Sequence, residues 1–264
     1  MDLQLAGKSA LVTGSTAGIG FAIAQGLARE GAQVLLNGRT QERVDAAVAA
    51  IKKKFADAEV EGFAGDLSQA TVADELLKLY PGIQILVNNL SIFEPKEFTA
   101  ITDDDWRRFF EVNILSGVRL SRGYLPRMLK SDWGRIVFIS SESALQIPAE
   151  MIHYGMTKTA QLAVARGLAE LTAGSGVTVN SVLPGPTASE GVTEFVTSLA
   201  KQQNQSVEEF EHLFFEKVRP TSLLKRFEST EEVANMVVYV CSPLASGTNG
   251  SALRVDGGVV RAIV

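Results

Sequence analysis

The chain has 264 residues, 46% of them hydrophobic and 21% charged, and a net charge of −5. That balance suits a packed core rather than a disordered chain, and its acidity argues against a nucleic-acid-binding face. No apolar run approaches the ~20 residues needed to span a bilayer, the start MDLQLAGKSALVTG lacks the regions of a signal peptide, and no repeat or low-complexity tract interrupts the chain. The lone Cys241 permits no intrachain disulfide, so the expected setting is cytoplasmic and the expected role a small buried residue.

In chain order, seven short apolar runs alternate with helical patterns. The runs are SALVTG (9–14), VLLNG (34–38), VEGFAGD (60–66), ILVNN (85–89), RIVFIS (135–140), VTVNSVLPG (177–185) and LRVDGG (253–258). They are rich in Val, Leu and Ile without strict alternation, as befits strands buried on both faces of a parallel sheet. Helices are expected over 19–31, ending at Gly31, over 40–55 with Thr40 as cap, over 102–129 with Thr102 as cap, and over 152–173. Asp103, Asp104 and Asp105 read as the acidic first turn of the third of these, not as a metal site. His153 and His212 have no ligand cluster around them. The alternation predicts a single α/β domain over 1–264, a doubly wound, Rossmann-like parallel sheet of about seven strands with helices on both faces. Ligands of such sheets bind at the carboxyl ends of the strands. The stretch 189–228 breaks the rhythm and reads as one or two inserted helices, with Pro220 at a turn.

Candidate functional residues fall at those strand ends. After the first strand comes TGSTAGIG (13–20), whose Gly14, Gly18 and Gly20 permit a tight turn and close backbone approach to a pyrophosphate at a helix N-terminus. The second strand ends in Asn37, Gly38 and Arg39. An acid there would hold a ribose hydroxyl and select NAD. None is present, and Arg39 suits a 2′-phosphate, although a solvated arginine at a helix start is the plain alternative. NADP(H) is therefore favoured and NAD(H) stays open. Asp66, followed by Leu67, can accept from an adenine amino group, or can simply cap the next helix. Ser141 ends the fifth strand thirteen residues before Tyr154, and Tyr154 and Lys158 share one face of the following helix. They read either as an ordinary surface pair or as a proton-transfer device. Asn113 is a poor helix former in the middle of a helix.

Taken together, TGSTAGIG, the Asn pair at 88–89, Asn113, Ser141, YGMTK (154–158) and the Pro-Gly at 184–185 resemble the short-chain dehydrogenase/reductase family, in order and across nearly the whole chain. The likeness is to members such as 3-oxoacyl reductases and sugar-acid dehydrogenases. The resemblance implies hydride transfer between a nicotinamide cofactor and a small-molecule carbonyl or alcohol. It casts Tyr154 as general acid/base, its phenol made more acidic by Lys158, which also holds the nicotinamide ribose. It casts Ser141 as the group polarising the substrate oxygen and Asn113 as the holder of a water linking Lys158 to solvent. It further assigns Gly14, Ser15, Thr16, Ile19 and Gly20 to the diphosphate turn, Asp66 and Leu67 to the adenine pocket, Asn89 and Leu90 to the ribose wall, and Pro184, Gly185 and Thr187 to the nicotinamide loop. A homotetramer packed through 102–129 and 152–173 is part of the same expectation, as is the stretch 189–228 covering the substrate. Phe210, Leu213, Phe214 and Val218 there could face a substrate or simply pack in the core. Two positions depart from the family pattern. Leu90 and Ser91 stand where Ala-Gly is usual, and Ser189 stands where a threonine is common. The first departure motivates a second reading, a non-catalytic dinucleotide-binding regulator or sensor.

Overall fold

The computed structural model describes residues 1–189 and 206–263. The strands are β1 (Ser9–Val12), β2 (Gln33–Gly38), β3 (Val60–Ala64), β4 (Ile85–Asn88), β5 (Gly134–Ile139), β6 (Val177–Pro184) and β7 (Ala252–Val255). They form one sheet in the order β3-β2-β1-β4-β5-β6-β7, with every neighbouring pair parallel. The order reverses between β1 and β4, which opens a crevice at their carboxyl ends. β4, β5 and β6 are buried along their whole length, which explains their near-continuous apolar sequence.

Helices α1 (Gly18–Arg29) and α2 (Gln41–Lys54) cover one face of the sheet together with α8 (Thr230–Cys241). Helices α3 (Ala70–Leu79), α5 (Ser116–Lys130) and α6 (Ile152–Glu170) cover the other. Two of these, α3 and α8, were not singled out by the periodicity of the sequence. In α3 only Ala73 and Leu76 are fully buried, so its apolar stripe is thin. α8 is apolar on most of its surface, burying six of its residues against α1 and the sheet. Thr40 caps α2 by accepting from the Arg43 amide, and Gly31 closes α1 with a φ of +80°, a conformation glycine adopts without strain.

The helix expected over 102–129 is continuous but not uniform. α4 (Asp103–Phe110) leads into a π-helical turn, Glu111–Leu115, and then into α5. Thr102 and Asp105 close a reciprocal capping box at its start, and Asp105 also pairs with Lys96 at 2.6 Å. The acids are thus helix-starting groups, and no metal-binding cluster occurs among the described residues. Cys241 is buried, and burial pushes its thiol up to about 12, which leaves it inert.

Part of the expected 189–228 insertion, 190–205, lies outside the described residues. The remainder forms α7 (Val207–Leu213), capped by Ser206 and Glu209, and a second π turn, Phe214–Val218. Ser222 then closes a turn over Pro220 by donating to the Arg219 carbonyl.

Candidate active site

The glycine turn after β1 is built almost wholly from main chain. Gly14 and Gly18 have φ near +59° and +58°. At Gly20 a Cβ would come within 2.4 Å of Asn89 Nδ2 and 2.5 Å of the Gly14 carbonyl oxygen, so only hydrogen fits. Side chains from neighbouring strands clasp the turn. Asn89 Nδ2 donates to the carbonyls of Thr13 (3.0 Å) and Gly14 (2.9 Å), and Asn37 Oδ1 accepts from the Gly14 amide. Asn37 Nδ2 in turn donates to the carbonyls of Phe63 and Gly65, tying three strand ends together. Asn37 was missed as a site residue, because an asparagine at a strand end signals nothing until its partners are known.

Ser15 belongs to this framework. It is fully buried, its amide donates to the Asn37 carbonyl and its hydroxyl to that of Val12. Thr16 packs against Gly38, where a Cβ would meet Thr16 Cγ2 at 2.4 Å, so the exposed Arg39 begins one residue from the glycine turn. Asp66 Oδ1 accepts from the amide and hydroxyl of Ser68, two residues on, which closes a turn; it does not cap α3, whose N-cap is Gln69. The Leu67 side chain is buried in the core under β4, which leaves its main chain for the crevice.

The structure tests whether a dinucleotide would fit here. Ala17, at the N-cap of α1, offers no side chain to the first amides of the helix. The positive end of that helix therefore opens uncapped onto the glycine turn, the arrangement that suits a diphosphate, with Ser189 Cβ lying beside Gly18. Leu90 does not block it. Its side chain packs against the core cluster beneath α3 and α5 and lies beside Gly14, while Ser91 lines the cavity next door.

That cavity, of about 450 Å³, lies at the ends of β4, β5 and β6. It brings together Ile19, Asn89, Ser141, Tyr154, Lys158, Pro184, Gly185 and Thr187 of the expected site residues, and its outer wall is Phe93, Met151, Phe210, Phe214, Val218 and Phe227. Leu213, expected beside Phe210 and Phe214, is not in the wall. Phe210, Phe214 and Val218 do line it, and Phe215, not expected inward, is the buried ring, packed edge-on to Phe214 and Phe227. Pro184 ends β6 and Gly185 follows it directly, and the loop is pinned by the Glu228 carboxylate, which accepts from the Gly185 amide. Burial pushes that carboxyl up to about 7.

At the base of the cavity the spacing of Tyr154 and Lys158 on α6 does what the sequence suggested. The Lys158 ammonium lies 5.5 Å from the centre of the Tyr154 ring and donates to the Ile139 carbonyl at 2.8 Å. Lys158 is 2% exposed, and burial alone pushes its ammonium down to about 7. The phenol is pushed up, first by burial and then by the Glu142 carboxylate, while a hydrogen bond with Ser141 and the Arg219 guanidinium pull it the other way. An acidified phenol was expected, and in the cofactor-free chain Lys158 is not among the groups that move it.

Two charged groups absent from the sequence reading organise this corner. Glu142 Oε2 accepts from the Ser141 hydroxyl and from the amide and hydroxyl of Ser143. Its Oε1 accepts from Arg219 Nε at 3.0 Å, with both side chains buried. Nothing in the sequence links positions 77 residues apart. Asn113, buried in the first π turn, does not enter the cavity. Its amide bonds both main-chain groups of Ile92 and the Thr157 hydroxyl, so it splints the strand that follows β4 to α6. His153 is buried against Phe109 and Trp106, and His212 is exposed.

The glycine cradle and the Ser-Tyr-Lys corner at one switch point are what a short-chain dehydrogenase requires. Residues 8–200 match the family model described as short chain dehydrogenase. Over the full length of both proteins, the chain is 51% identical to the uncharacterized oxidoreductase YvaG of Bacillus subtilis. It is 34% identical to the 3-oxoacyl-[acyl-carrier-protein] reductase FabG of Aquifex aeolicus, covering 98% of this chain and all of that one. The L-sorbose reductase of Gluconobacter frateurii, complexed with NADPH and L-sorbose, superimposes with a TM-score of 0.93 over all of both chains at 31% identity. The protein belongs to the short-chain dehydrogenase/reductase family and is an NAD(P)-dependent oxidoreductase.

Proposed function

We propose that the protein transfers hydride between NADP(H) and a small-molecule carbonyl or alcohol, with Tyr154 as general acid/base assisted by Lys158, Ser141 and Asn113. The observation that carries this is the convergence of Ser141, Tyr154 and Lys158 at the base of one cavity beside the glycine cradle. When bound, the cofactor supplies or accepts the hydride. In reduction, Tyr154 gives its proton to the carbonyl oxygen as charge develops there. The Lys158 ammonium stabilises the phenolate left behind, and Ser141 holds the substrate oxygen. Gly14, Gly18, Gly20, Thr16 and Ile19 would receive the diphosphate, with Ser15 shaping the turn. Asp66, Leu67, Asn89 and Leu90 would line the adenosine side, and Pro184, Gly185 and Thr187 the carboxamide side.

The absence of an acid after β2, the exposed Arg39 and the NADPH of the sorbose reductase support NADP(H) over NAD(H). The largely aromatic outer wall suits a carbonyl bearing an apolar group, and residues 206–219 contribute Phe210, Phe214 and Val218 to it as part of a substrate-covering insertion. The regulator reading rested on Leu90 and Ser91; the packing of Leu90 against the core cluster and the convergence of Ser141, Tyr154 and Lys158 on one cavity favour the enzyme. Titration with NADPH and NADH should show tighter binding of NADPH, and equal or reversed affinities would overturn the role given to Arg39. Tyr154→Phe should retain NADPH binding and lose at least ~100-fold in turnover, whereas unchanged turnover would sink the mechanism. A cytoplasmic homotetramer packed through α4, α5 and α6 belongs to the same proposal, for which light scattering should give about four times the 28.3 kDa of one chain.

A further inference from the structure

The family resemblance places a water between Lys158 and the region of Asn113. In the structure a side chain joins the same two residues. Gln161, one turn along α6 from Lys158, is 2% exposed. Its Nε2 donates to the Asn113 main-chain carbonyl at 2.6 Å, and its Oε1 accepts from Lys158 Nζ at 3.4 Å. One amide thus uses both of its ends, an acceptor for the ammonium and a donor for the carbonyl, which matches the polarity of each partner. The π turn assists by changing the register of the backbone around Asn113, so that the Ser116 amide reaches back five residues to the Glu111 carbonyl.

We propose that Gln161 is a positioning residue that bridges the Lys158 ammonium to the Asn113 carbonyl. The proposal rests on the assignment of Lys158 to the catalytic set. A primary amide keeps its donor and acceptor ends fixed, so Gln161 holds the lysine without passing its proton to Asn113. Lys158 then exchanges protons on the cavity side, where its titratable neighbours are Tyr154 on the same helix, Glu142 after β5 and Arg219 from the covering segment. The bridge and the Ile139 carbonyl are neutral contacts that favour the charged lysine without adding a charge.

Three variants of the full-length protein separate a bridge from a packing role. Gln161→Leu fills the space and removes both bonds. Gln161→Ala removes them but leaves room for water. Gln161→Glu replaces the amide acceptor with a carboxylate. Lysine ε-carbon NMR titration of the cofactor-free protein, with Lys158→Met to identify the signal, reads the ammonium directly. The expected result is a fall in the Lys158 midpoint of roughly half a pH unit in Gln161→Leu, a smaller fall in Gln161→Ala, and a rise in Gln161→Glu. Turnover of L-sorbose or an acetoacetyl thioester with NADPH should follow the same order, with kcat reduced about tenfold in Gln161→Leu, less in Gln161→Ala, and KM within twofold. A packing role predicts the reverse order, since alanine leaves the larger cavity. Midpoints and kcat unchanged in all three variants, or Gln161→Ala worse than Gln161→Leu, would overturn the proposal. The lysine titration needs no substrate, so failure of the Tyr154→Phe test would strike the catalytic reading while leaving the bridge to be judged separately. If Gln161→Leu does not fold, the opposite shifts expected of Gln161→Ala and Gln161→Glu decide the matter.

Discussion

At the ends of β1 and β2 the crevice wall is main chain: glycines, uncapped helix amides, and asparagine side chains that hold carbonyls in place. At the ends of β5 and the start of α6 it is side chains: Ser141, Tyr154 and Lys158, held by Glu142, Arg219 and Gln161. The first region needs shape, and its requirements are local. The second needs protonation states, and those depend on groups brought from far along the chain. A Cβ can ruin the first without changing any charge. A removed charge can retune the second without moving the backbone.

The largest expected effect falls on the second region, since Tyr154→Phe removes the proton itself while leaving the cradle able to bind NADPH. Gly20→Ala should do the converse. The added methyl must displace Asn89 or the Gly14 carbonyl, so NADPH binding, measured by fluorescence titration, should weaken at least ~tenfold, with the Lys158 titration unmoved. Wild-type affinity in that variant would mean that the turn is not where the diphosphate binds. Arg219→Met sharpens the comparison more gently. It strands the buried Glu142 carboxylate at a cost of about 3 kcal/mol in stability, read by denaturant unfolding. It also removes a group that lowers the Tyr154 phenol. The midpoint of the acid limb for alcohol oxidation, which needs the phenolate, should therefore move to higher pH by roughly half a unit. Arg219→Met combined with Glu142→Gln should return both quantities toward wild type. A pH profile unaffected by Arg219→Met would separate this pair from the chemistry.

The central strands β4, β5 and β6 were legible because they are buried on both faces and so had to be written largely in apolar residues, whereas the edge strands β3 and β7 are partly exposed and were legible from their place in the alternation. The glycine turn was legible because close approach of main chain to main chain admits only glycine, whatever surrounds it. Tyr154 and Lys158 were legible as neighbours because four residues make about one helical turn. Helix α3 was not singled out, because two fully buried residues make a faint pattern. In the segment 206–219, Phe210, Phe214 and Val218 were placed correctly, while Leu213 stays out of the cavity wall and Phe215 is buried in its stead, a choice made by the ring contacts of Phe214 and Phe227 rather than by periodicity.

By itself, then, the sequence determined the order of the elements, the glycine turn after the first strand, and the residue types available for proton transfer, since each follows from covalent neighbours and local periodicity. Only the tertiary structure decided what those groups are held by. Arg219 meets Glu142, Gln161 meets the Asn113 carbonyl and Leu90 packs against the core cluster. The physical reason is that ionisation and orientation depend on distance and burial, and those are properties of the folded chain as a whole.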